Sequence, residues 1–248
     1  MLSDREIINR FKVKSTDRVL DIGGSMKQRQ EIKVDTLVDI IRPEKAPYSA
    51  SRLLANRFIE LDVTRQKMPF KDKEFDFCLC SHTLEDLTYP FLVIEEMSRV
   101  AKRGLIITPS MGDDMVFSHI DFTDWLSGAR RLPGGAHHKW FFIKENKKLR
   151  VIPKNYPILY TRDFQVIRWK GEDEMILYWE RKIDYEEIKD INIHKLIDVY
   201  DKYVKGNRLQ IEKGTTLIYF DNPFFIIKAY LKKTLKMGAG YLHRETLR

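Results

Sequence analysis

Short apolar runs alternate with amphipathic stretches through the first half of the chain. Arg18-Val19-Leu20-Asp21-Ile22, Thr36-Leu37-Val38-Asp39-Ile40, Phe58-Ile59-Glu60-Leu61-Asp62-Val63, Phe75-Asp76-Phe77-Cys78-Leu79-Cys80 and Gly104-Leu105-Ile106-Ile107-Thr108-Pro109 each read as a strand. Residues 2–11 predict a lead-in helix, and the apolar spacing from Leu84 to Val100 predicts another. Strands alternating with helices imply an α/β architecture on a parallel sheet.

Beyond Pro109 the rhythm changes. Residues 110–155 mix Gly, Pro, His, Trp and Phe without a sustained period, which predicts a long insertion with one hairpin. Residues 164–169 and 175–180 predict an antiparallel strand pair, and 184–205 carry helical periodicity up to Gly206-Asn207. In the segment 224–237, Phe224, Ile226, Ile227, Tyr230, Leu231, Leu235 and Met237 share half a helix circumference, opposite Lys228, Lys232, Lys233 and Lys236. Such a basic amphipathic helix packs on its own domain or a subunit partner, or lies on an anionic membrane surface. The expected organisation is one domain over 1–223, with 110–155 as an inserted cap, followed by a basic helix and tail over 224–248.

Composition narrows the classes. A chain of 248 residues that is 43% hydrophobic and 12% aromatic can fill one sizeable core, which excludes general disorder. No apolar run approaches the roughly 18 residues of a membrane span. The opening residues lack the pattern of a secretory signal, and Cys78 and Cys80 cannot build a disulfide framework, so a cytoplasmic location is expected. The charge of +8 is concentrated late: after Pro223, six basic residues face Glu245 alone, which accounts for +5 of it. A nucleic-acid partner is therefore not expected. The oligomeric state leaves no signature.

The chemistry concentrates at Val19-Leu20-Asp21-Ile22-Gly23-Gly24-Ser25. An apolar strand ending in an acid and then glycines lets backbone approach a ligand closely at the first strand-to-helix turn. Asp39 follows 18 residues later, near the spacing at which an acid meets ribose hydroxyls, and Asp62 closes the third run. Acids at the ends of three parallel strands line one crevice. The G-x-G-x-x-G of dinucleotide-binding domains is absent. Cys78, Cys80 and His82 alternate along a strand, which suits buried core cysteines better than a metal set, so no metal is expected.

Ordered along the chain, Asp21-Ile22-Gly23-Gly24-Ser25, Asp39, Leu61-Asp62-Val63, Met68-Pro69-Phe70 with Glu74-Phe75-Asp76, Ser81-His82-Thr83-Leu84-Glu85-Asp86-Leu87, Glu95-Glu96 and Arg99-Val100 before Gly104 resemble the class I S-adenosylmethionine-dependent methyltransferases, particularly those acting on small molecules and glycans. The resemblance runs from about Arg18 to Pro109. It implies a Rossmann-like class I fold: a mostly parallel seven-stranded sheet, helices on both faces and an inserted cap. It also implies S-adenosyl-L-methionine as cofactor. Asp21, Gly23, Gly24 and Ser25 would serve its methionine part, Asp39 its ribose, and Ile40, Asp62 and Val63 its adenine, while Ser81 and His82 would flank the methyl-donor end. Ser25, Met26 and Lys27 stand where that family commonly has further glycines.

Methyl transfer to oxygen or nitrogen requires an aligned nucleophile and, for a hydroxyl, removal of its proton. His82 beside the crevice, and His137 and His138 in Pro133-Gly134-Gly135-Ala136-His137-His138-Lys139-Trp140-Phe141-Phe142, are the candidate catalytic histidines. In that run the aromatics can face a sugar or pack on the sheet, and Lys139, Arg130 and Arg131 can meet an acidic group. Asp113 and Asp114 are either orienting acids or a solvated loop. The expected activity is methylation of a hydroxyl or amine on a small polar acceptor, a sugar or glycan intermediate first. A binding or regulatory module of the same fold, or a membrane-surface partner in glycan assembly, also stays open on the sequence.

Overall fold

The computed structural model describes residues 2–47, 50–118, 132–189 and 192–213. Strands β1 (Val19–Ile22), β2 (Thr36–Asp39), β3 (Arg57–Glu60), β4 (Phe75–Ser81) and β5 (Ala101–Pro109) run parallel in the spatial order β3-β2-β1-β4-β5. This order reverses at β1, and the crevice outside the strand C-termini at that reversal is where open α/β sheets bind ligands. The two-residue period of the runs sorts their side chains to opposite faces. Leu20, Ile22, Cys78, Cys80 and Ile106 enter one core, whereas Val19, Phe77, Leu79, Leu105 and Ile107 enter another.

One helix among the described residues covers each face. Helix α1 (Asp4–Phe11) starts at Ser3, whose hydroxyl accepts from the Glu6 N–H while the Glu6 carboxylate accepts from the Ser3 N–H. Its Ile7 seals the second core together with Ile32 and Val34. Helix α2 (Phe91–Val100) buries Phe91, Val93, Ile94 and Met97 in the first. It begins well after the Leu84 expected from periodicity. Pro90 disfavours helical backbone at the preceding Tyr89, and 84–87 form turns instead. Among the described residues, the β1–β2 and β2–β3 connections carry the 3₁₀ turns Gly24–Met26 and Pro43–Lys45 and no longer helix.

The later strands are β6 (Phe117–Ser118), β7 (Leu132–Pro133), β8 (Trp140–Glu145), β9 (Lys148–Pro153), β10 (Val166–Trp169), β11 (Glu174–Glu180), β12 (Asp184–Glu187) and β13 (Ile211–Lys213). Strand β11 runs antiparallel to β5 and closes a six-stranded sheet, so the described sheet has one strand fewer than the seven expected. The expected pairing of 164–169 with 175–180 does not form. Strand β10 pairs with β13, while β11 buries Met175, Leu177 and Trp179 on the main sheet. A strand with three inward apolar residues gains more from the sheet than from a hairpin partner.

Within the insertion, β8 and β9 form a hairpin through a turn in which Asn146 adopts positive φ. Strand β12 adds in parallel to β9, correcting the helix expected from residue 184. The helix in that region spans Ile193–Gly206, with the Asn192 side chain accepting from the Lys195 N–H at its start. Leu196, Tyr200 and Val204 pack it on Phe141, Ile152 and Ile158 in a separate core cluster. No described helix is long and apolar enough to cross a membrane. The basic helix and tail expected over 224–248 lie outside the described residues, as do Arg130 and Arg131.

Candidate functional site

Gly23 leaves β1 at φ 76°, the left-handed region, and a Cβ there would lie 2.3 Å from Thr83 Oγ1. The turn is pinned further by the Gly23 N–H donating to the Val38 carbonyl and the Ser25 N–H donating to Asp39 Oδ2 at 3.0 Å. Asp39 Oδ1 accepts from the Ile40 N–H at 2.7 Å. The ends of β1 and β2 are thus tied into one unit, with Asp39 organising the glycine turn.

A cavity of about 280 Å³ opens above this unit. Its walls include Asp21, Gly23 and Gly24 on one side, Ser81, His82, Glu85 and Asp86 from the end of β4, and His137 and His138 from the insertion. The insertion reaches across because its backbone is stitched to the turn after β4. The Lys139 N–H donates to the Glu85 carbonyl at 2.7 Å, Lys139 Nζ to the Asp86 carbonyl at 2.8 Å, and Trp140 Nε1 to the Leu87 carbonyl at 2.9 Å. Lys139 is therefore spent on structure. Phe141 and Phe142 are buried in the cores, and Trp140 packs edge-on against Phe91. The aromatics of this run hold the insertion down rather than face the cavity.

Of the cofactor residues expected from sequence, the structure gathers Asp21, Gly23, Gly24, Ser81 and His82 around this cavity, with Ser25 and Asp39 directly behind the turn. Ile40 is 65% exposed and presents an apolar surface beside them. Asp62 lies apart: β3 ends at Glu60, and Asp62 accepts from the Thr64 N–H and hydroxyl and pairs with Arg65 at 3.0 Å. Val63 is buried in the core and offers no surface to a ligand.

Asp21 is 3% exposed, and burial pushes its carboxyl up to about 6 despite the Arg29 guanidinium nearby. The folded value exceeds the unfolded one, so ionised Asp21 penalises the fold above pH 6, and the penalty is relieved as pH falls from 6 towards 4. Asp21→Asn is accordingly expected to raise stability by roughly 3 kcal/mol above pH 6, with the gap to wild type closing near pH 4. Urea unfolding of both proteins across that range checks it.

His82, at φ 51°, is held between Glu174 Oε1 at 2.8 Å and Glu85 Oε1 at 3.4 Å. Glu85 and Glu174 favour the imidazolium and raise its pKa, outweighing burial, which acts the other way. His138 has a different setting. Its Nδ1 lies 2.8 Å from Asp114 Oδ1, and an ionised carboxylate only accepts, so Nδ1 carries a proton and the neutral ring turns a bare Nε2 towards Asp86. Burial lowers the His138 pKa, but Asp114 outweighs it and the net direction is upward. Gly134, at φ 52°, lets the chain wrap Asp114, whose Oδ1 also accepts from the Gly135 N–H at 2.9 Å. Lys154, fully buried, pairs with Asp114 Oδ2 at 3.0 Å.

Asp114 is thus an orienting acid and not a solvated loop residue. The sequence offered no comparable signal for Lys154, and Glu85 and Asp86 stood in the Ser81–Leu87 motif without an assigned role. The two cysteines are buried on the α2 side of the sheet with their thiols pushed well up by burial, as core residues.

Residues 29–108 match the family described as a methyltransferase domain, beginning just after the glycine turn and covering β2 to β5. Together with the β3-β2-β1-β4-β5 order and the antiparallel β11, this settles the architecture. The fold is that of the class I methyltransferases. No curated protein matches the chain. Among solved structures, the chain is similar to the YcgJ protein of Bacillus subtilis (20% identity, 42% of this chain and 49% of that one, TM-score 0.32). Others are a SAM-dependent methyltransferase of Aquifex aeolicus (23%, 44% and 65%, 0.30) and a putative methyltransferase from an antibiotic biosynthesis pathway of Anabaena variabilis (14%, 50% and 50%, 0.38). The chain spans about half to two thirds of the length of these proteins.

S-adenosylmethionine is the cofactor this fold implies, and the residues present fit it. Ser25 Oγ and Glu85 Oε2 are buried without a hydrogen-bond partner, and such orphaned atoms call for a polar ligand. Asp21 is a buried carboxylate at a cavity wall, where a ligand's positive charge would offset its desolvation. Exposed Met26 and Ile40 offer apolar surface of the kind a purine covers.

Proposed function

We propose that the protein transfers a methyl group from S-adenosylmethionine to a hydroxyl or amine of a small polar acceptor, a sugar or glycan intermediate in the first instance. The observation that carries this reading is the convergence, in one cavity, of the β1 glycine turn with Asp21 and the His137–His138–Asp86 wall of the insertion. When bound, the cofactor supplies a methyl carbon activated by a sulfonium.

The residues divide the work. Asp21 and Ser25 engage the polar end of the cofactor, Asp39 holds the turn in shape, and Ile40 with Met26 takes the adenine side. The acceptor enters against His137 and His138. Polarising or removing its proton falls to this wall, where His138 presents a bare Nε2 fixed by Asp114. Both ring nitrogens of His82 already face carboxylates, Glu85 and Glu174, so it holds that side of the cavity in place rather than facing the acceptor. Support for a sugar comes from the polar wall, because Trp140, Phe141 and Phe142 are committed to packing. The reading places the protein in the cytoplasm, with no nucleic acid as partner.

Methyl-labelled S-adenosylmethionine offered with a panel of sugars, nucleotide sugars and nucleic acids tests it. Label is expected in a small hydroxylated acceptor. Asp39→Ala, which loses the charge-assisted bond from the Ser25 N–H of the glycine loop and those from Ile40 and Ile41, is expected to bind the cofactor at least about tenfold more weakly. Label passing only to nucleic acid would refute the acceptor class.

A further inference from the structure

The acceptor wall carries a donor set that methyl transfer alone leaves unexplained. Asp86 Oδ1 is buried and has no hydrogen-bond partner. It lies 3.5 Å from His137 Nε2 and 3.8 Å from His138 Nε2, and the three atoms fall within 4.8 Å of one another. An ion pair with a direct hydrogen bond closes to about 2.7–2.9 Å, and neither contact does. Atoms that share a tetrahedral cation at roughly 2.0–2.1 Å stand about 3.4 Å apart, close to the two Asp86–histidine distances.

The surroundings of the set match a ligand role as well. Asp114 accepts a hydrogen bond from the Nδ1–H of His138, which fixes the ring and leaves the Nε2 lone pair free to ligate; this is the carboxylate–histidine–metal arrangement. Lys154 and the Gly135 N–H anchor Asp114 in turn. The histidine rings pack edge to face with centroids 4.5 Å apart, so a change in one disturbs the other. Two imidazoles and one carboxylate suit zinc and similar divalent transition ions, whereas magnesium and calcium prefer oxygen alone.

We propose that Asp86, His137 and His138 bind one divalent transition cation of the zinc type, with a remaining coordination position open to the cavity for an oxygen of the acceptor. The role at the acceptor builds on the methyl-transfer reading, with the bound ion rather than the His138 Nε2 lone pair then polarising the acceptor hydroxyl, whereas the binding of the ion does not. Such an ion favours an acceptor with a hydroxyl beside a second oxygen, which can chelate it.

The test is calorimetric titration of the full chain, freed of metal by chelator, with Zn²⁺, and in parallel with Co²⁺ followed by visible absorption. One ion per chain is expected, with the intense cobalt bands of a low-coordinate N/O site, and with Mg²⁺ failing to compete at equal concentration. His137 is 71% exposed, so His137→Ala should fold normally; it and Asp86→Asn are each expected to weaken Zn²⁺ at least tenfold. Absence of stoichiometric binding, or affinity unchanged in both variants, overturns the proposal. S-adenosylmethionine titrated into the same samples separates the two claims. Cofactor binding without zinc removes only the metal, and zinc binding without cofactor leaves the metal site standing and removes methyl transfer.

Discussion

His138→Ala is expected to lower methyl-transfer turnover by about 10²-fold or more while leaving S-adenosylmethionine affinity within roughly a factor of two. The selectivity follows from where the ring sits. Its Nε2 faces Asp86 on the acceptor wall, opposite the glycine turn that would hold the cofactor. Losing the ring should not collapse the wall, because Asp114 keeps Lys154 at 3.0 Å and the Gly135 N–H at 2.9 Å. Parallel measurement of kcat and of cofactor Kd checks this. Turnover close to wild type would move the chemistry off this wall.

Lys154→Met is expected to destabilise the fold by about 3–5 kcal/mol, a third or more of the stability of an ordinary domain. The Lys154 side chain is fully buried, and burial pulls its pKa down, yet it stays paired with Asp114 Oδ2 and donates to the Gly135 carbonyl at 3.0 Å. Its ammonium also sits 5.5 Å from the Phe141 ring centroid and 5.6 Å from that of Tyr156. Methionine fills similar space but strands half of a buried carboxylate. The urea midpoint at neutral pH reads the loss. Lys154→Met combined with Asp114→Asn should recover part of it, because the stranded charge is then gone; no recovery would mean that the loss comes from packing.

Most of the parallel half of the sheet was legible because β1, β2, β4 and β5 are largely buried on both faces, so each reads as an apolar run, and they fall where those runs do, whereas the edge strand β3 is partly exposed. The resemblance on Asp21 to Gly104 marked the fold for the same reason: its motifs sit at strand ends that the runs already located. The second half was less legible. Helical periodicity in 184–205 conceals β12, whose Asp184-Tyr185-Glu186-Glu187 is polar enough for an exposed edge and is fixed only by pairing with β9. Strand β11 looks like one arm of a hairpin until β5 is available as a partner. At the site, the glycine turn and the two insertion histidines stood out by residue type. Lys154 did not, because a lone lysine in a loop has no local signature, and Asp86, though part of the Ser81–Leu87 motif, carried nothing to tie it to the insertion. The bonds from Lys139 and Trp140 to the turn after β4 bring the two halves of the cavity together, which no local pattern in the sequence announces.

The most direct test of the central claim, that this crevice holds S-adenosylmethionine, is its calorimetric titration into wild type and Asp21→Asn at neutral pH. Wild type should bind with one site, and Asp21→Asn should bind at least about tenfold more weakly while being no less stable, because the buried charge that serves the ligand penalises the empty fold. Weaker binding could then not be ascribed to unfolding. No binding by folded wild type, or equal affinity in the two proteins, would contradict the account.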